Sequence, residues 1–315
     1  MIDQGQLLRQ VRLALQSENY QTAIYWLEQA INAAVLEGDV SAAGRHKGNL
    51  ALIYYRLGQR EKALECFQQA LASARDESDR ATEEGLLGNI GNIMREVGRH
   101  GEALSYLRQA LKMSDEIDDV RGRGIWLSNL GLVYDDLERP EDAIPFHEQA
   151  IAIARDIQDM RGLAARLGNL GNSYVTKGDL LIALTYFAES AGIYRKIADH
   201  HALAQRLGVM GNLQAKIGRA AADEATKMDH LRRALGLYEE TLALARGFKD
   251  ASSEAELLRA MGGIAADMYD DNAAVEYWRS AGKIYRQMGQ NEQTHVIASM
   301  LSGLRRSRRA AARDD

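Results

Sequence analysis

The fold is decided by the stretch GLLGNIGNIMREVGRHGEALSYLRQALKMSDEIDD, residues 85–119, because most of the chain repeats it. Its Gly-Asn-Ile-Gly at 88–91 returns as Gly-Asn-Leu-Ala at 48–51, Ser-Asn-Leu-Gly at 128–131 and Gly-Asn-Leu-Gly at 168–171, then more loosely as Gly-Val-Met-Gly at 208–211. The step is 40 residues each time. Two further markers keep it. Ala63, Ala103, Ala143 and Ala183 are each followed four residues on by Phe67, Leu107, His147 and Phe187, and Asp39, Asp79, Asp119, Asp159 and Asp199 close successive periods. After Gly218 the frame slips by 11 residues and resumes at Ala234, Tyr238, Asp250 and Gly262, with Ala274 and Trp278 continuing it. A fixed period of this length marks a stacked-repeat architecture.

Each period reads as two helices. Leu127, Leu130, Tyr134 and Leu137 recur at the spacing of one helical face. Gly58, Gly98, Gly178 and Gly218 stand where a left-handed helix stop suits glycine, and Arg139-Pro140 replaces that stop in the fourth repeat, with Pro140 suited to a first helical turn. The recurrent Asp is placed to cap the next repeat. Pro145 falls inside a second helix, where a soft or bent unit is expected. Composition agrees: two prolines, 6% aromatics and abundant strong helix formers argue against a sandwich or barrel.

A small residue, Leu, Gly or Ala and an aromatic, then Ala, Phe or Tyr and Ala in an antiparallel helix pair, resembles the tetratricopeptide repeat. The period exceeds that family's usual ~34 residues, and this extended form is similar to the arrays of Pins-type spindle-orientation scaffolds, kinesin light chain and many bacterial proteins. The resemblance implies an all-α fold, a right-handed α-solenoid or superhelix of antiparallel helix pairs. It covers seven tetratricopeptide-like pairs in 1–290, at about 3–38, 41–78, 81–118, 121–158, 161–198, 201–249 with an insertion near 219–230, and 251–289. The first pair (Leu7, Val11, Ala23, Leu27, Ala30) is degenerate. Residues 291–309 read as a capping helix with Val296, Ile297, Met300, Leu301 and Leu304 on one stripe, and 310–315 as a polar tail.

The resemblance also implies a role. The first helix of each pair lines the concave face, and in related arrays that face holds an extended peptide or a helix, often through asparagines. The matching residues here are Asn49, Asn89, Asn129 and Asn169, with Asn92, Asn172 and Asn212 one turn later. An amide both donates and accepts, so it can pair with a peptide group; it can equally hold the next repeat's backbone, and the sequence leaves both readings open. A net hydrogen bond contributes ~1 kcal/mol, whereas micromolar binding needs ~8 kcal/mol, so anchors are required. Arg45, Arg56, Trp126, Arg166 and Arg206 are the candidates on or near this face, with Tyr55, Arg95 and Lys216 beside them. Gly48, Gly88, Gly168 and Gly208 sit within helices at ~1 kcal/mol each, which points to close approach of a neighbouring helix. The clamp that grips an acidic C-terminal tail is matched only in part, since Gly48, Leu52 and Gly85 stand where that class carries polar or basic groups.

The expected function is therefore a protein-interaction scaffold or adaptor that takes a peptide or helix of a partner. The alternative is a regulatory array that senses a peptide or signal by changing superhelical shape. Chemistry is sparse. Asp199-His200-His201 is a capping group rather than a metal site, Glu83-Glu84 and Asp135-Asp136 read as solvated faces, and no nucleotide loop or nucleophile elbow occurs. No catalytic residue, metal or cofactor is expected. Net charge is −5 with both signs interspersed, which argues against nucleic acid apart from the Arg305–Arg309 cluster. One cysteine, no signal-like N-terminus and no long apolar run fit a cytoplasmic protein without membrane insertion. The end repeats offer a surface for self-association.

Overall fold

A computed structural model describes residues 4–314, with the side chains of 305 and 307–314 excepted. Among the described residues there are fifteen helices and no strand. They are α1 (Gln4–Gln16), α2 (Tyr20–Glu37), α3 (Val40–Arg56), α4 (Arg60–Asp76), α5 (Arg80–Glu96), α6 (His100–Glu116), α7 (Val120–Asp136), α8 (Pro140–Asp156), α9 (Met160–Lys177), α10 (Leu180–Lys196), α11 (His200–Ala220), α12 (Glu224–Phe248), α13 (Ala251–Asp267), α14 (Asp271–Gln287) and α15 (Asn291–Asp314). The chain is an all-α repeat solenoid in which odd-numbered helices pair with the even-numbered helices that follow. It forms two compact units, Met1–Asp159 and Met160–Asp315.

The markers are explained by one contact. In the hairpins α5/α6, α7/α8, α9/α10, α11/α12 and α13/α14 the odd helix presents a glycine to a large side chain on the even helix. A Cβ added at Gly91, Gly131, Gly171 or Gly211 would lie 2.5–2.7 Å from Leu107, His147, Phe187 or Tyr238. Glycine at these places lets the two helices approach closely enough to bury the large side chain. Phe67, Leu107, His147 and Phe187 are at most 1% exposed. In the first unit the resulting core runs through Leu87, Ile90, Ile93, Leu130 and Val133. In the second it runs through Leu231, Tyr238, Met261, Ile264 and Tyr285.

The turns follow from local chemistry. Asp39, Asp79, Asp119, Asp199 and Asp250 each accept a backbone N–H from the residue three positions on, satisfying a donor that the helix start leaves open. Gly58, Gly98 and Gly178 stand at φ of 73°, 78° and 96° after their helices, and Glu138 takes the left-handed place before Arg139-Pro140. Gly218 does not end a helix. It lies buried in α11, where the backbone oxygen of Lys227 on α12 would stand 3.1 Å from an added Cβ. The reason is the 11-residue slip: it lengthens α11 and α12 at their shared turn, so 219–230 is mostly helix and the former stop becomes a crossing point. Helix α8 runs unbroken through Pro145, whose ring faces solvent.

The last helix packs Ile297 against Gly282, with Met300, Leu301 and Leu304 partly covered. Val296 departs from the expected stripe and is exposed. Helical backbone continues to Asp314, past the expected end at 309, while the side chains of Arg305, Arg308 and Arg309 and of 310–315 lie outside the described residues.

Candidate functional site

In the first unit, α3 sets Arg45, Asn49, Leu52 and Arg56 on one face, and α5 sets Gly85, Asn89 and Asn92 beside them. A cavity of about 320 Å³ lies between these helices, lined by Arg45, Asn49, Leu52 and Asn89 among others. A second, of about 600 Å³, adjoins it through the shared Asn49 and Leu52. Leu8 and Leu15 of α1, Leu52, Tyr55 and Arg56 form its walls. Leu8, Leu15 and Leu52 are 38–48% exposed although they face inward on this cleft. Leu8 and Leu15 are not among the residues expected at the site; their signal in the sequence is an i, i+7 leucine pair displaced from the Leu7–Val11–Ala14 core stripe.

The amides are unspent. Asn49 is exposed, Asn89, Asn92 and Asn129 are half-buried, and none of the four makes a side-chain hydrogen bond among the described residues. The neighbouring polar groups are spent. The Tyr55 hydroxyl donates to Glu96, which also accepts from Arg60 at 2.7 Å, and Arg95 pairs with Asp136 at 2.9 Å. Burial pushes the Glu96 carboxyl up, but the bonds from Tyr55 and Arg60 outweigh it and hold the group below its ordinary pKa. These links join the C-terminal ends of α3, α5 and α7 and leave the amide rows open. Arg56 bonds the Tyr20 hydroxyl at 3.3 Å and Arg45 bonds Ser41, both at exposed positions.

Trp126 is not part of the open face. Its indole is 7% exposed and covers Gly88, where an added Cβ would overlap the ring, and its Nε1 donates to the buried Glu84 at 2.6 Å. Burial raises the Glu84 pKa, opposed by the indole bond and assisted by nearby Asp119. The glycine at the Asn-adjacent slot is thus explained by the next repeat: Leu86 meets Gly48 and Trp126 meets Gly88.

In the second unit the same slot at Gly168 is covered by Arg206, whose guanidinium stacks on Phe187 at 4.9 Å, so Arg206 is a packing residue. Arg166 is buried and Asn169 half-buried. Asn172 is exposed and unbonded, and Asn212 accepts from the Tyr238 hydroxyl. Among the described residues no helix is long and apolar enough to cross a membrane, and no three His, Cys, Asp or Glu side chains converge as a metal site.

The tetratricopeptide repeat family model matches residues 5–76 and 82–156. None of the curated protein sequences matches the chain. Solved structures share its fold. The apo form of RapI is 14% identical with a TM-score of 0.65, over 91% of this chain and 99% of that one. A signal transduction ATPase with numerous domains, with a tetratricopeptide repeat sensor, from Pyrococcus horikoshii is 15% identical with a TM-score of 0.70, over 91% of this chain and 43% of that one. A Rap protein complexed with Competence and Sporulation Factor is 12% identical with a TM-score of 0.56, over 97% and 99%. The family match makes residues 5–76 and 82–156 tetratricopeptide repeats, and the small-to-large hairpins and the shared solved folds carry the same helical-repeat architecture through the rest of the chain.

Proposed function

We propose that the open face of α1, α3, α5 and α7 binds a peptide or helix of a protein partner, which makes the chain an interaction scaffold of the regulatory or adaptor type. The observation that carries this reading is the coincidence of unspent amides with an apolar cleft. The side chains of Asn49, Asn89, Asn92 and Asn129 have no hydrogen bond among the described residues, and the exposed leucines at 8, 15 and 52 open on cavities that contain two of those amides. Four amide bonds supply ~4 kcal/mol. Covering the remaining leucine surface adds ~1 kcal/mol per side chain. The total approaches the ~8 kcal/mol of a micromolar Kd before ordering costs are subtracted, so the guest is held at micromolar strength or weaker. Arg45 and Arg56, both at the rim, favour an acidic guest and a salt-dependent on-rate. The regulatory side of the reading is supported by the solved arrays of like fold, one complexed with Competence and Sporulation Factor and one described as a sensor.

The test is selection of displayed random peptides on the full chain. Enriched sequences should bind the parent and lose about tenfold or more with the Asn49→Ala, Asn89→Ala, Asn129→Ala triple variant, while helicity and melting stay the same. Undiminished binding by the triple variant, or loss of melting stability with it, contradicts the proposal.

A further inference from the structure

The slot glycines of the odd-numbered helices are filled by the side chain 38 residues further on, at Gly48 by Leu86, at Gly88 by Trp126 and at Gly168 by Arg206. The next slot is Gly208. The 11-residue slip moves the corresponding side chain to Leu257, and nothing lies within 4 Å of the Cβ position at Gly208. What remains is a cavity of about 420 Å³ walled by α11, α12 and α13 within the second unit, a volume in the range of small-molecule sites.

Its lining is not that of a packing void. Empty apolar voids are lined by carbon, whereas this one carries Arg259 and Glu256 on α13 and Gln205 and Asn212 on α11. Arg259 is half-buried and Glu256 exposed; the Arg259 Nε is covered by the protein itself, as are those of Arg95 and Arg206, so the remainder of its guanidinium is what can meet a guest. Glu256 stands three residues before Arg259. At the same spacing and order, Glu224 and Lys227 pair at 3.3 Å, yet Glu256 and Arg259 make no ion pair. Asp250, also at the wall, is spent on Ser253 as the α13 cap. Tyr238 occupies the oxygen of Asn212 and leaves its amide N–H groups as donors. Two opposite charges that open on one cavity without joining each other complement a molecule that carries both signs close together.

We infer that the cavity between α11, α12 and α13 binds a compact zwitterion of the α-amino-acid class, with its carboxylate on Arg259 and its ammonium on Glu256. Gln205 and Asn212 then read the polar part of its body, and His201, stacked on Phe248 at 3.8 Å, closes one side. The site is separate from the cleft of the first unit and does not depend on its occupant.

Calorimetric titration of the full chain with the standard free L-amino acids at millimolar concentration tests this. At least one should bind. Blocking its amine by acetylation or its carboxylate by amidation should each weaken binding about ten- to hundredfold, as should Arg259→Ala and Glu256→Gln. Gly208→Leu, placed in open space, should fill the cavity and abolish binding with helicity intact, and it carries the test if an α13 variant does not fold. Absence of binding by every free amino acid overturns the inference. So does binding that tolerates both blocked forms, or that survives Arg259→Ala and Gly208→Leu.

Discussion

A methyl group added at Gly88 and one added at Gly208 meet opposite surroundings, though both residues hold the same place in their repeats. At Gly88 it overlaps the Trp126 ring, so Gly88→Ala forces the indole from its bond to Glu84 and should cost about 1–3 kcal/mol. At Gly208 it meets nothing, so Gly208→Ala should gain ~1 kcal/mol of helix propensity. Thermal melts followed by circular dichroism read both signs. Glu84 gives a second residue-scale prediction. Its carboxyl has a higher pKa folded than unfolded, chiefly through burial. Its contribution is therefore present below the unfolded value of ~4.3 and is lost as pH rises through the raised folded value. Glu84→Gln keeps an acceptor for the indole without the charge. It should raise melting at neutral pH, and the advantage should fade on acidification toward pH ~4. A variant that is less stable than the parent at pH 7 would contradict this account of the Trp126 lock.

At the scale of the element, the caps decide where helices begin. The Asp79 carboxylate accepts from the Thr82 hydroxyl at 2.6 Å and from its backbone N–H at 3.1 Å, and these bonds hold its pKa below the ordinary range. The stabilisation is present above the unfolded value of ~3.9 and is lost as pH falls through the depressed folded value. Asp79→Ala should cost ~1 kcal/mol at neutral pH, with the difference from the parent shrinking on acid titration. Most of this level was legible in the sequence, because caps, helix stops and the Gly–aromatic pair are each set by residues close in the chain. Gly218 was misread as a stop for a physical reason: a glycine at a helix end and a glycine at a helix crossing look the same without the neighbour, and α12 is the neighbour. Trp126 was similarly opaque. Its distance from Gly88 spans one repeat, and nothing local distinguishes a tryptophan that plugs a slot from one that greets a guest.

At the scale of the whole molecule, periodicity made the architecture legible and left its exceptions hidden. A 40-residue step shows where each asparagine recurs but not whether its amide is already spent. The structure separates them: the four in the first unit are unbonded, while Asn212 is held by Tyr238. The apolar cleft beside Asn49 arises from Leu8 and Leu15 in the most degenerate repeat, where the periodic markers give least guidance. The most direct test of the binding face is side-chain amide spectroscopy. With the chain labelled at asparagine nitrogen and a peptide selected on the full chain titrated in, the NH₂ resonances of Asn49, Asn89 and Asn129 should shift together and saturate at one micromolar-range Kd, with that of Asn212 unmoved. Saturating peptide that leaves those three resonances in place would contradict the assignment of this face.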